Sequence, residues 1–243
     1  MDWKLGAEIA AGAAAVAGLA AGGCAYAAMW PTSRIFGRAL TAPRRPGELA
    51  LTFDDGPNPE WTPRLLDLLA EHKVRGSFFL LGKHAALQPE LVRRMAAEGH
   101  LIGNHSWSHP NLARTPAAQV REELRRTRDL LAQQTGAPIK HFRPPYGGRR
   151  PVVLRIGREL GMEPVLWNAM TTDWKDPDGA AVASRLEAKI AHWDRRGRAT
   201  TLVLHDGAQS GFDVDRAPSL RAARLLLERF TSCRRFVTVA EWV

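Results

Sequence analysis

At 243 residues the chain suits one large domain with an appendage, and α/β barrels reach this size as single domains. A formal net charge of +9 and a pI near 10.3 point to an acidic neighbour. No basic run with interleaved aromatics and no RRM, zinc-finger or helix-turn-helix pattern accompanies that charge, so no nucleic-acid partner is expected.

From Ile9 to Trp30 there is no charged residue. About 22 such residues can span ~30 Å of hydrocarbon as a helix, and residues 1–30 are expected to form an N-terminal transmembrane anchor. Cleavage of a signal segment at the small residues Ala21-Gly22-Gly23 is the alternative. Cys24 lacks the upstream aliphatic residue of a lipidation signal, and its apolar setting argues against a disulfide with Cys233. Residues 31–47 read as a connector rich in Pro and Arg. Arg34, Arg38, Arg44 and Arg45 follow the apolar run, and by the positive-inside rule they would keep the following domain in the cytoplasm.

Residues 48–243 alternate strand and helix patterns, which implies a parallel sheet with helices outside it. Strands are expected at 49–53, 77–81, 101–103, 141–142, 164–167, 201–204 and 236–239. Helices are expected to open at Thr62-Pro63, Pro89, Thr115-Pro116, Pro151, Ala180 and Pro218, with Gly99, Gly136 and Gly161 as stops.

Five polar clusters each follow a predicted strand: Asp54-Asp55, His105 to His109, Arg143 to Gly147, Asp173-Trp174 and His205-Asp206. Loops after the strands of a βα barrel gather on one face, so these clusters would share a site. Two adjacent aspartates at a strand end can divide the work, one binding a cation and the other moving a proton. His105 and His109, four apart, would face one side of a helical turn as a metal pair. With Asp55 as the third ligand, two imidazoles and one carboxylate leave positions open for water and substrate. The same donors suit a non-haem Fe(II) oxygenase, so the ligand set alone does not name the reaction.

The segments Thr52-Phe53-Asp54-Asp55-Gly56-Pro57, His105-Ser106-Trp107-Ser108-His109, Arg143-Pro144-Pro145-Tyr146-Gly147, Asp173-Trp174 and Leu204-His205-Asp206 resemble, in order, the five motifs of polysaccharide deacetylases. These are the NodB-homology domains of carbohydrate esterase family 4. The resemblance covers about residues 48 to 243. It implies a distorted (β/α) barrel that removes N- or O-acetyl groups from glycans such as peptidoglycan or chitin, with a divalent metal. Zinc is the default ion, and cobalt, nickel or manganese would serve the same ligands.

Carried over by position, the resemblance makes Asp55, His105 and His109 the metal ligands and Asp54 the general base, paired with Arg143. The Tyr146 backbone N–H would stabilise the oxyanion. His205 would be the general acid, oriented by Asp173, and Trp174 and Leu204 would bound the acetyl pocket. Met170 stands where many members carry a further Asp, which leaves the shape of that wall and the substrate open. Asn104 reads as either turn-forming or supporting the histidine that follows it, and not as catalytic, while Trp61 and Trp107 are either groove-lining or packing residues.

The expected partners are an acetylated glycan and the membrane. Because wall glycan lies outside the membrane, the catalytic domain is expected on the extracytoplasmic side, against the arginine flank. A non-catalytic glycan-binding relative is the alternative. The sequence is silent on oligomeric state.

Overall fold

In a computed structural model, which describes residues 21–242 together with Ala14, Val16 and Gly18, eight parallel strands form one curved sheet. In chain order the strands are β1 (Glu48–Asp54), β2 (Ser77–Leu80), β3 (Leu101–Asn104), β4 (His141–Phe142), β5 (Glu163–Pro164), β6 (Ala169–Met170), β7 (Thr200–His205) and β8 (Arg235–Phe236). They run β5-β4-β3-β2-β1-β7-β6 across the sheet, with β8 paired to the start of β1.

Helices pack outside this sheet. The first, α1, is described over 21–29. The others are α2 (Trp61–Glu71), α3 (Gly82–Leu87), α4 (Pro89–Ala97), α5 (Ala117–Thr135), α6 (Pro151–Glu159), α7 (Gly179–Asp194) and α8 (Ala217–Phe230). Prolines open α4, α6 and α8, where a missing N–H costs nothing. Asp178 caps α7 by accepting from the Ala180 and Ala181 N–H groups. Gly136 ends α5 in the left-handed conformation. Leu65, Leu66, Leu68 and Leu69 of α2 join Val120, Leu124 and Leu131 of α5 in the main core, against Leu49, Leu51 and Phe53 of β1.

Several local expectations are corrected. Thr62 does not cap α2. Asn58 serves the helix entrance, its Oδ1 accepting from the Glu60 and Trp61 N–H groups, while the Thr62 hydroxyl donates to Asp206. The single strand expected at 164–167 is instead two short ones, β5 and β6, and β6 leads to Asp173. Asn168 produces the break: its side chain accepts from the Thr201 N–H and donates to the Ala199 carbonyl, diverting the chain towards β7. β8 closes at Phe236, followed by a 3-10 turn over Val239–Trp242. The helix α3 carries no sequence signal.

The segment read as a connector is built into the barrel. Leu40 pairs in parallel with Val165 beyond β5, donating to the Pro164 carbonyl and accepting from Leu166. Pro43 then accepts from Ala199 beside β7. Residues 40–43 therefore cross the gap that the short strands leave open. Among the described residues no helix is long and apolar enough to cross a membrane. Residues 1–13, 15, 17, 19 and 20 of the expected anchor lie outside the described residues.

Candidate active site

All five polar clusters sit at the C-terminal ends of strands, on one face. β1 ends at Asp54, and Asp55 follows with φ +71° in the left-handed region. Aspartate tolerates that conformation better than most residues. The turn overrides strand alternation, so both carboxylates line the same cavity. Two glycines permit the crossing of chains behind them. A Cβ on Gly207 would lie 2.2 Å from the Asp55 carbonyl oxygen, and one on Gly56 2.3 Å from an Asp206 oxygen.

The histidine pair converges, though not through a helix. Residues 105–109 form a loop in which Ser106 and His109 have φ of +68° and +69°. Side chains supply the order that backbone ladders do not. Asn104 Oδ1 accepts from the Ser106 N–H at 2.8 Å, and Ser106 Oγ accepts from the His109 N–H at 3.1 Å. Glu123 on α5 accepts from the Trp107 and Ser108 N–H groups and from the Ser108 hydroxyl. Asn104 is thus turn-forming, as expected. Trp107 is a packing residue under the Arg126 guanidinium. Trp61 is buried, with its indole N–H donating to the Val214 carbonyl.

Asp55 Oδ1 lies 3.4 Å from His105 Nε2 and 3.2 Å from His109 Nε2. One ligand atom from each of the three residues falls within 4.8 Å of the others. The outward nitrogens are already engaged: His105 Nδ1 donates to the Arg143 carbonyl at 2.8 Å, and His109 Nδ1 to Gln209 Oε1 at 2.6 Å. With Nδ1 of each ring engaged, Nε2 is the nitrogen left facing inward, the atom a metal would take. Asp55 Oδ1 is buried without a hydrogen-bond donor. Such an orphaned carboxylate oxygen facing two imidazole nitrogens fits a divalent cation. Burial works to raise the Asp55 pKa, but the His109 contact and the proximity of the His105, His109 and His205 imidazoles outweigh it and hold the group far below the usual carboxylate range. Burial depresses His105 to about 4 against the pull of Asp54, leaving it neutral.

Asp54 stands beside this trio, its Oδ2 4.0 Å from His105 Nε2. Its Oδ1 accepts from Arg143 Nη1 at 2.6 Å. Arg143 is fully buried, stacks 4.0 Å over the Phe79 ring and also donates to the Thr52 hydroxyl. Burial works to lower its pKa, with Asp54 opposing.

Across the cavity His205 is gripped twice by Asp173. Oδ1 lies 3.0 Å from His205 Nδ1, and Oδ2 accepts from the His205 backbone N–H at 2.8 Å and from the Ser219 hydroxyl at 2.7 Å. Burial works against a charged ring, but Asp173, then Asp55 and Asp54, prevail and push His205 up to about 9. Trp174 packs edge-on against it, ring centroids 4.7 Å apart.

The cavity measures about 580 Å³ and its apolar lining comes from Trp167, Met170, Trp174, Ala208 and Val214. Leu204, expected in that lining, lies in the main core instead. β7 alternation turns it away from the cavity that His205 faces. Tyr146, 47% exposed, stands on the rim with φ +58°. Its hydroxyl donates to Gln209 Oε1 at 2.7 Å, the oxygen that also holds His109. Gln209 carries no sequence signal, because it lies on an exposed loop with no motif of its own.

A model of the polysaccharide deacetylase family matches residues 41–165. The chain belongs to that family. A peptidoglycan-N-acetylglucosamine deacetylase of Bacillus cereus is 44% identical over 137 residues, 56% of this chain and 50% of that protein, so this chain spans half of that relative. A chitooligosaccharide deacetylase of a Bradyrhizobium species is 41% identical over 162 residues, 66% of this chain and 71% of the relative. The crystal structure of a peptidoglycan N-acetylglucosamine deacetylase bound to 4-naphthalen-1-yl-N-oxidanyl-benzamide superposes with a TM-score of 0.75 at 33% identity, over 84% of this chain and 91% of the other. Family, fold and the Asp-His-His trio are together those of a metal-dependent polysaccharide deacetylase.

Proposed function

We propose that this polysaccharide deacetylase hydrolyses the acetamido group of an N-acetylated wall glycan, peptidoglycan or a chitin-like chain, in preference to O-acetyl esters. The observation that carries the reading is the Asp55 oxygen held between two inward Nε2 atoms, with Asp54 beside them and paired to Arg143.

Asp55, His105 and His109 would hold the ion, zinc in our reading. When bound, a divalent ion polarises the acetyl carbonyl and lowers the pKa of water from 15.7 towards ~7. Asp54 then takes the water proton as general base, with Arg143 fixing which of its oxygens points into the cavity. The Tyr146 backbone N–H stabilises charge on the acetyl oxygen; losing one such donor costs ~3 kcal/mol elsewhere. His205, protonated at neutral pH, gives its proton to the departing amine. Asp173 and Ser219 keep the His205 ring aimed at that nitrogen. Trp167, Met170, Trp174 and Val214 enclose the acetyl methyl and exclude water around it.

Residues 1–30 serve in this reading as a membrane anchor with the barrel on the extracytoplasmic side, where wall glycan lies. Protease treatment of intact cells tests that part: digestion of the barrel is expected, and complete shielding contradicts it. The activity is tested by mass spectrometry on a panel of N-acetylated and O-acetylated glycans. Loss of acetyl from an N-acetylated member is expected, and no release from any member defeats the proposal.

A further inference from the structure

Arg149 is buried to 1% exposure and has no carboxylate partner among the described residues. Backbone carbonyls alone receive its charge. Nη2 donates to Trp30 O at 2.7 Å and Ser33 O at 3.0 Å, and Nη1 to Gly147 O at 3.2 Å and Ala28 O at 3.5 Å. Its own backbone N–H donates to Ala28 O at 3.0 Å. Three of these four acceptors lie at the end of α1 and the turn after it, where unpaired carbonyls concentrate negative partial charge. The fourth belongs to Gly147, next to Tyr146.

Burying a guanidinium without a counter-ion is costly, and an apolar side chain would suffice merely to pack a helix. What an apolar residue could not do is join two sets of carbonyls. The loop at Tyr146 has reason to need such a joint. Tyr146 and Gly147 both sit at positive φ, +58° and +67°, and tight-turn bonds from Gly147 and Gly148 span only three residues each. α1 is itself seated, since Ala27 is fully buried.

We infer that Arg149 is a positioning residue that fixes the Tyr146–Gly147 turn against the end of α1, making the N-terminal segment a buttress behind the rim of the active site. The consequence for turnover rests on the role proposed above for Tyr146, whereas the joint itself does not.

The test uses the full-length protein with Arg149→Met, Arg149→Lys, Ala27→Phe and the Ala27→Phe, Arg149→Met double variant. Ala27→Phe overfills the seat of α1 and so disturbs the same joint from its other side. Acetate release from N-acetylated chito-oligosaccharide, bound metal per chain, and amide hydrogen exchange over residues 143–150 are measured. A misplaced catalytic group can cost ~100-fold. Arg149→Met is expected to lower kcat by roughly ten- to a hundredfold with KM and bound metal within about twofold. Arg149→Lys should fall between it and wild type. Ala27→Phe should reproduce the loss, and the double variant should be no worse than the poorer single one. Exchange over 143–150 should quicken in each variant while β1 and β7 stay protected.

An unchanged kcat in a folded, metal-loaded Arg149→Met protein overturns the inference, as does an effect on KM alone or simple additivity in the double variant. Should Arg149→Met not fold, Arg149→Lys and Ala27→Phe decide by the same criteria. If wild type itself releases no acetate, the proposed function fails, and the joint is judged by exchange alone. Unaltered exchange over 143–150 then overturns it.

Discussion

Asp173 holds His205 at two points, one carboxylate oxygen 3.0 Å from the imidazole Nδ1 and the other 2.8 Å from the backbone nitrogen of the same residue. The second contact fixes where the strand end sits, and the first fixes how the ring turns and what charge it carries. His205 is raised from 6.5 to about 9, so it is protonated through the neutral range. The alkaline limb of kcat/KM is therefore expected well above pH 6.5, and Asp173→Asn should move it down towards the ordinary histidine value with a fall in kcat. The sign for stability follows from the same shift. A histidine whose folded pKa is raised contributes stability that is complete below pH 6.5 and is lost as pH rises through about 9. Thermal melts across that window should show the wild type losing the advantage and Asp173→Asn lacking it.

Removal of the ion should leave the fold intact and abolish turnover. The trio is preformed, with both outer imidazole nitrogens bonded, so chelation is expected to stop acetate release and zinc to restore it. Asp55→Ala should lose the ion and reduce kcat at least a thousandfold; metal analysis and single-turnover assays check both.

Gln209 accepts from His109 and from Tyr146 through one oxygen. Partners of this kind typically contribute 10- to 100-fold to metal affinity. Gln209→Leu should weaken zinc binding by roughly that factor, read by competition with a chelating dye. At saturating zinc, kcat should recover most of its value.

Arg143 is buried against Asp54 and Phe79. Breaking a buried pair from one side costs about 3–5 kcal/mol. Arg143→Met should therefore lower the denaturation midpoint strongly and lose activity even where it folds, because Asp54 is no longer held.

Gly207→Ala should be worse than Gly56→Ala. A methyl at 207 meets the Asp55 backbone carbonyl, which cannot move without carrying the proposed metal ligand with it, whereas one at 56 meets a side chain. Overpacking costs about 1–3 kcal/mol. Beyond that loss, Gly207→Ala should also reduce bound zinc.

Much of the fold is legible in the sequence because proline and glycine punctuate it. Pro89, Pro151 and Pro218 open helices and Gly136 closes one, so the alternation of strand and helix stands out. The clusters are legible because barrel chemistry follows strand ends, and Asp54, Asp55, His105, His109, Arg143, Asp173 and His205 all do. What escapes is set by long-range or unusual backbone geometry. The loop from His105 to His109 relies on positive φ at two residues that are not glycine, which no spacing rule announces. Leu40 and Arg149 each reach partners more than a hundred residues away, through backbone atoms that carry no sequence identity. The resemblance to the family motif places Leu204 in the acetyl pocket, but strand alternation turns it and His205 to opposite sides.

In the proposed metal-dependent deacetylation Asp54 moves the proton and Asp55 does not. This division of roles is tested most directly by Asp54→Asn, with bound zinc and acetate release from an N-acetylated glycan measured on the same sample. A full complement of bound metal and at least a thousandfold loss of kcat are expected. Retained turnover in the zinc-loaded variant, or in wild type after exhaustive chelation, would contradict it.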